Sequence, residues 1–299
     1  MIKIFDRKLD FPCLSIFPGF LYFILAHFRD NWIQPPPGVS YKIWIPVLAE
    51  IFTNYLDIMI ASSSLFSNTA LWLCEKGNSV ITGIYPTIQD IYNVVKAKKY
   101  PAPSHLARYQ ESTTNRLEGL LAILGDQICT YKKLDWHKYL TTNWAIDIHN
   151  LPTVYQNLFI TVTIAKILLY RIHNNLRSSV LTDLIVFDEA STIFKKWYET
   201  RGGTYLLADY LAQAREFGIG FIISTQNLTN LADSILSNSA TKILIGGAGL
   251  GRDYEIFGSA VGLTKDQVEH LKTLKNPGMA CVSDSRFPHP FLLEVPKVA

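Results

Sequence analysis

The 299-residue sequence predicts an α/β fold: a mostly parallel sheet carrying a helical insertion. Three observations lead there. Short apolar runs alternate with helix-length stretches through the second half of the chain. Residues 41–140 repeat apolar side chains at three- and four-residue spacing. One run, Leu184-Ile185-Val186-Phe187, is apolar at every position, as in a strand covered on both faces, and two acids follow it.

The elements follow in order. Residues 2–5 read as a short strand ending in Asp6. Residues 11–28 are strongly apolar, but Pro18-Gly19 breaks them, and the remaining run is shorter than the roughly 20 residues of a membrane helix. They are expected to be a turn followed by a strand over 20–26. The run Gln34-Pro35-Pro36-Pro37-Gly38 then ends one element before another begins. Over 41–140, Ile45, Leu48, Ile51, Phe52 and Leu56 share a helix face, as do Leu117, Leu120, Leu121 and Leu124. Residues 153–172 are apolar enough to raise a membrane question. Gln156, Asn157 and Lys166 interrupt them, which fits a helix buried in a globular domain. Strands are expected at 144–148, 184–187, 221–224 and 242–245. These four runs are separated by helix-length segments, the signature of βα units, and two further runs at 279–282 and 291–295 suggest a closing hairpin. The domain organisation expected is 1–40 as the first strands of a core, 41–140 as the insertion and 141–299 as the remainder of the core.

Composition narrows the function classes. Hydrophobic residues are 48% of the chain and charged residues 18%, below the roughly 25% of an average soluble domain. That excludes whole-chain disorder. A net charge of +3 does not mark a nucleic-acid binder through bulk electrostatics. Four cysteines lie far apart without a CxxC pair, so a disulfide framework or zinc ribbon is not expected and a reducing compartment is. The basic clusters Lys96-Lys98-Lys99 and Lys195-Lys196, the latter beside Trp197 and Tyr198, are of a kind that usually forms solvated faces.

The chemistry concentrates at Asp188 and Glu189. They stand at the carboxyl end of a buried strand, where open α/β sheets bind ligands. A strand ending in a solvated acidic turn gives the same pattern. The next strand, Phe221-Ile222-Ile223-Ser224, ends in Thr225-Gln226. An amide there can hydrogen-bond an attacking water or a phosphoryl oxygen, but as a lone residue it reads more readily as a helix cap or loop residue. Arg215 ends a helix before Gly218. It is either a complement to the helix dipole or a cation presented to a neighbouring subunit.

The succession Phe-Asp-Glu-Ala at 187–190, Ala-Gln-Ala-Arg-Glu-Phe-Gly-Ile-Gly at 212–220, Ile-Ile-Ser-Thr-Gln at 222–226 and Leu-Ser-Asn-Ser-Ala-Thr-Lys-Ile at 236–243 resembles the HerA/FtsK superfamily of P-loop ATPases. Gly262-Leu263-Thr264, Leu274-Lys275-Asn276-Pro277-Gly278 and Pro290-Phe291 extend the likeness. The resemblance covers nearly the whole chain and is densest over 183–296. It implies a RecA-like P-loop NTPase sheet and an ATP-dependent DNA translocase of conjugation, type IV secretion or DNA processing. Asp188 would then hold Mg2+ as the Walker B acid, Glu189 would orient water, Gln226 would sense the phosphoryl group and Arg215 would act between subunits. ATP and Mg2+ are the cofactors it implies. DNA, a homo-oligomeric hexameric ring and a membrane-associated secretion complex are the partners. The location it implies is cytoplasmic, with peripheral attachment at the inner membrane face.

The phosphate-gripping GxxxxGK[ST] of such enzymes does not occur in these 299 residues. Gly246-Gly247-Ala248-Gly249-Leu250-Gly251-Arg252 is glycine-rich but lacks the Lys-Ser/Thr pair. It is expected to be an interface loop, with a phosphate cradle as the alternative and Arg252 as a nucleotide-binding candidate. The sheet is thus expected to be N-terminally incomplete, with an apolar groove beside Ile185 and Ile223, and the chain is not expected to hydrolyse ATP alone. A truncated or split motor, of which this chain is the C-terminal portion, and a partner chain supplying the P-loop are two readings. A non-catalytic assembly or regulatory module on the same scaffold is the alternative.

Overall fold

The computed structural model describes residues 1–101, 104–132, 134–196, 212–246, 251–273 and 278–294. The chain divides into two units, Met1–Val186 with Gln213–Ile222, and Phe187–Ala212 with Ile223–Ala299.

The first unit is built on a five-stranded sheet. Its elements are β1 (Ile2–Asp6), β2 (Phe20–Ile24), α1 (Tyr41–Leu56), α2 (Ile60–Lys76), α3 (Ser79–Thr82), α4 (Ile88–Ala97), α5 (His105–Ile128), α6 (Trp136–Thr141), β3 (Asn143–Asp147), α7 (Thr153–His173), β4 (Ser178–Phe187) and β5 (Phe217–Ile223). The strand order is β2-β3-β1-β4-β5. β1 pairs in parallel with β3 (Phe5 opposite Ile146) and with β4 (Ile4 opposite Val186), and β2 pairs in parallel with β3. β5 runs the same way as β4. Ser178 donates to the Glu216 carbonyl at one end of the pair, and Ser224 donates to the Phe187 carbonyl at the other. The parallel α/β sheet expected from the sequence is present.

Among the described residues six α-helices, α1 to α6, lie between β2 and β3. Ser40 caps α1, and Thr87 with Asp90 forms a capping box on α4. The apolar stripes read from the sequence point inward: Ile45, Leu48, Ile51, Phe52, Leu117, Leu120 and Leu124 are all buried. α7 is long and apolar enough to cross a membrane, yet 78% of its most apolar window is buried inside the protein. Lys166, which interrupts that window, is itself buried and ion-paired. Its ammonium lies 2.8 Å from Asp30, donates to the Asn31 carbonyl at 2.7 Å and sits over the Trp44 ring. A second buried cluster joins β1, β4 and α7. There the Asp183 carboxylate accepts from both Lys3 and Arg171.

Two details differ from the sequence reading. Residues 212–214 are the last described helical residues before β5, and Gly218 lies inside β5 rather than at a helix end. Its φ is +69°, and a Cβ placed there would meet the Val180 carbonyl oxygen at 2.6 Å. Only glycine accepts both conditions. Of the two residues beside which a groove was expected, Ile185 is fully buried on a strand with β1 and β5 on its two sides, and Ile223 is half-buried at the end of β5, the last strand in the order.

The second unit contains α8 (Asp233–Asn238), β6 (Thr241–Ile245), α9 (Gly251–Val261), α10 (Lys265–Thr273), β7 (Met279–Asp284) and β8 (Phe291–Glu294). β7 and β8 form the expected hairpin. β6, read from the sequence as part of a βα succession, instead pairs antiparallel with β7, Thr241 opposite Asp284 and Ile245 opposite Ala280. The reason lies in the connection. One crossover helix carries a chain back to the end where its strand began and so makes a parallel pair. Among the described residues two helices, α9 and α10, stand between β6 and β7. They return the chain to the end where β6 finished. Tyr254, Phe257, Val268, Leu271 and Cys281 form the core under this sheet.

Candidate functional site

β4 delivers the two acids. Along its carboxyl half, burial alternates: Asp183, Ile185 and Phe187 are buried, and Leu184 and Val186 are half-buried. Just past Phe187 the chain turns sharply. Glu189 adopts a left-handed backbone with φ of 51°, an uncommon conformation for a side chain of its size. The turn is held by its own polar groups. The Asp188 carboxylate accepts the Glu189 N–H at 3.0 Å, and Thr192 donates its N–H and its hydroxyl to the Glu189 carbonyl at 3.0 and 2.9 Å. Below it, Ala190, Ile193 and Phe194 are buried, and the Phe194 ring packs edge-on against Phe187 at 5.1 Å.

Backbone pairing holds the start of the segment that leads to Gln226 against the turn carrying the two acids. Ser224 donates to the Phe187 carbonyl at 2.9 Å, and Ala190 donates to the Ser224 carbonyl at 2.8 Å. These two bonds clamp the end of β4, which carries Asp188 and Glu189, to the end of β5, which leads three residues later to Gln226. Asp188 and Glu189 are half-buried and Gln226 is exposed, so all three reach solvent. Thr225 turns its hydroxyl onto the Asn227 N–H at 3.2 Å, which shapes the loop around Gln226.

The other candidates lie elsewhere. Arg215 is exposed at the amino end of β5, whereas Gln226 follows its carboxyl end. Arg252 is the second residue of α9 and is exposed. Most of the glycine-rich loop before it, 247–250, lies outside the described residues, as do Trp197 and Tyr198 of the basic cluster and 274–277 of the tail motif. Lys196 pairs with Asp233 at 2.7 Å, as a solvated surface cation does.

A second group of polar residues at strand ends was not singled out from the sequence. Asp6 ends β1 and Asp147 ends β3, and the two are register partners. Asp6 accepts from the Lys8, Asp10 and Phe11 N–H groups and from the Tyr22 hydroxyl, the last at 2.9 Å. Asp147 accepts the His149 N–H at 3.0 Å and lies 2.5 Å from His149 Nδ1. Burial, then the hydrogen bond to Asp6 and the charges of Asp6 and Asp147, hold the Tyr22 hydroxyl well above the ordinary phenol range. The signal was visible, because Asp6 closes an apolar run as Asp188 does. The structure shows that Asp6 holds the β1 loop.

Among the described residues, no three His, Cys, Asp or Glu side chains converge on a metal-sized space. A pair of adjacent acids nonetheless suits magnesium. That ion keeps several waters and takes one or two carboxylates together with phosphate oxygens.

No protein-family model matches the sequence, and no curated protein matches it. Solved structures do. VirB4 of Thermoanaerobacter pseudethanolicus superposes with a TM-score of 0.72 at 15% identity, over 99% of this chain and 82% of the other. The chain has the fold of VirB4. The bacterial conjugative coupling protein TrwB shares it, with a TM-score of 0.68 at 11% identity over 99% of this chain and 78% of its own. TrwB in complex with ADP and Mg2+ gives 0.63 at 10% identity, over 99% and 84%. The VirB4 and TrwB fold is the RecA-like α/β architecture expected from the sequence.

Proposed function

We propose that this chain is the core of an ATP-driven motor of conjugation or type IV secretion, and that the loop gripping the triphosphate comes from outside these 299 residues. The observation that supports the reading is the pair of backbone bonds, Ser224 to Phe187 and Ala190 to Ser224, that ties the turn carrying Asp188 and Glu189 to the segment leading to Gln226. The fold shared with VirB4 and TrwB supports it, and so does the capture of TrwB with ADP and Mg2+.

In this reading Asp188 holds the magnesium ion, whose chemistry is to neutralise charge on the phosphates. Glu189, fixed in its left-handed turn, orients the attacking water. Gln226 donates its amide to that water or to a phosphoryl oxygen. Arg215, at the other end of β5, serves a neighbouring subunit's nucleotide, and Arg252 adds positive charge. The assembly is a ring acting on DNA, held at a membrane-associated secretion complex.

The test is recovery of the chain from its native cells under mild conditions. It should copurify with a polypeptide carrying GxxxxGK[ST], and that complex should hydrolyse ATP with Mg2+. Glu189→Gln should lower kcat by about 100-fold or more, the usual scale for losing a group that positions or activates water. Recovery only with proteins lacking such a loop, or turnover indifferent to Glu189→Gln, overturns the proposal. The first of these results would favour a non-catalytic assembly module.

A further inference from the structure

A cavity of about 270 Å3 opens beside β2 and α6. It belongs wholly to the first unit, and none of the residues proposed above for nucleotide chemistry lines it. Its walls are aromatic. Tyr139 stacks on Trp144 with ring centroids 5.0 Å apart, and Phe28 meets Tyr139 at 6.1 Å. All three rings are buried, and Phe23 adds a half-buried fourth. Trp144 gives its indole N–H to the Tyr139 carbonyl at 3.0 Å, so that donor is already engaged. The floor is therefore apolar and braced by its own packing.

The rim is cationic. Arg29, Lys132 and Lys138 border the cavity and are exposed. Among the described residues none of the three forms an ion pair. Arg29 is tethered through Nη1 to the Ala26 and Phe28 carbonyls, at 2.6 and 2.8 Å. Asp135 is the one acid in the lining, and its carboxylate accepts the Lys138 backbone N–H at 3.0 Å as the cap of α6.

We infer that this cavity binds a small amphipathic anion, with an apolar body the size of a short acyl chain on the aromatic floor and a carboxylate or phosphate at the rim. The volume lies just under the range of about 300–1,000 Å3 for small-molecule sites, which limits the body to a short chain. An arginine and two lysines that pair with no acid among the described residues match a carboxylate or phosphate head, the arginine by its paired N–H groups. A free fatty carboxylate and the anionic lipid of a membrane present this same chemistry.

The test is calorimetric titration of the full chain with octanoate, octanol and acetate. Octanoate should bind about tenfold or more tightly than either of the others, a gap that needs floor and rim together. The double variant Lys132→Glu with Lys138→Glu should weaken it about fivefold or more, and high salt should weaken it further. Both lysines are exposed, so an unchanged melting temperature checks that the variant folds, and Arg29→Gln is the second variant. Leu134→Trp, which fills the cavity from its half-buried wall, should block binding. Flotation with phosphatidylglycerol vesicles separates the sources. Capture relieved by octanoate assigns the site to lipid, and octanoate binding without capture assigns it to a free anion. Equal affinity for octanol and octanoate, indifference to charge reversal, or vesicle capture that octanoate does not relieve overturns the inference.

Discussion

Replacing Asp183 by alanine removes the one acid between two buried cations. Lys3 and Asp183 side chains are fully buried and Arg171 is 10% exposed. Without the carboxylate, Lys3 keeps one long hydrogen bond, to the Leu140 carbonyl at 3.4 Å, and Arg171 keeps the Phe217 carbonyl at 3.2 Å. Breaking a buried pair by deleting one partner costs about 3–5 kcal/mol, because the remaining charge is stranded. At about 2–4 °C per kcal/mol for a chain of this order, the melting temperature should fall by roughly 6–20 °C. Urea titration followed by tryptophan fluorescence reads the loss, with buried Trp144 opposite Lys3 in the sheet as a reporter. The triple variant Lys3→Met, Asp183→Leu, Arg171→Met should recover much of it, since a well-packed apolar replacement of a buried ionic cluster is often neutral or stabilising. The pH dependence has a definite sign. Burial lowers the Lys3 ammonium below its ordinary 10.5, and Asp183 opposes that shift. Between the lowered folded value and 10.5 the unfolded chain binds a proton that the folded chain has released, so stability rises with pH in that window. Asp183→Ala should widen the window downward. A loss below about 1 kcal/mol, or a triple variant no more stable than Asp183→Ala, would refute the reasoning.

Two further predictions concern the backbone and the thiols. Gly218→Ala places a Cβ against the Val180 carbonyl at a φ of +69°, and the strain should cost about 1–3 kcal/mol; equal urea midpoints for the two proteins would contradict this. Cys13 is exposed, whereas Cys74 is buried and its thiol is pushed up to about 12 by that burial. At pH 8 in native buffer Cys13 should therefore react with iodoacetamide well before Cys74, because the thiolate is the nucleophile. Peptide mapping that finds Cys74 labelled as fast as Cys13 would show the helical insertion to be open.

Much of the fold was legible because the signals are local. Ile45, Leu48 and Phe52 repeat at helical spacing, and they are buried as that spacing requires. The run from Leu184 to Phe187 reads as a buried strand because no polar side chain interrupts it. Lys166 was ambiguous in a sequence, where a cation inside an apolar stretch has no visible partner. Asp30, 136 positions away, supplies that partner. The antiparallel placement of β6 was equally hidden. Two crossover helices and one look alike as helix-length segments, and only their packing tells which end of the strand the chain returns to.

At the candidate site the division follows the same physics. The amino-acid order alone established which residue types stand at the ends of the apolar runs, because alternation and punctuation are short-range properties of the chain. It could not say that Ser224 would clamp Phe187 and Ala190, or that Glu189 would turn left-handed. Those facts come from pairing between strands some 35 positions apart, whose register depends on everything packed around them.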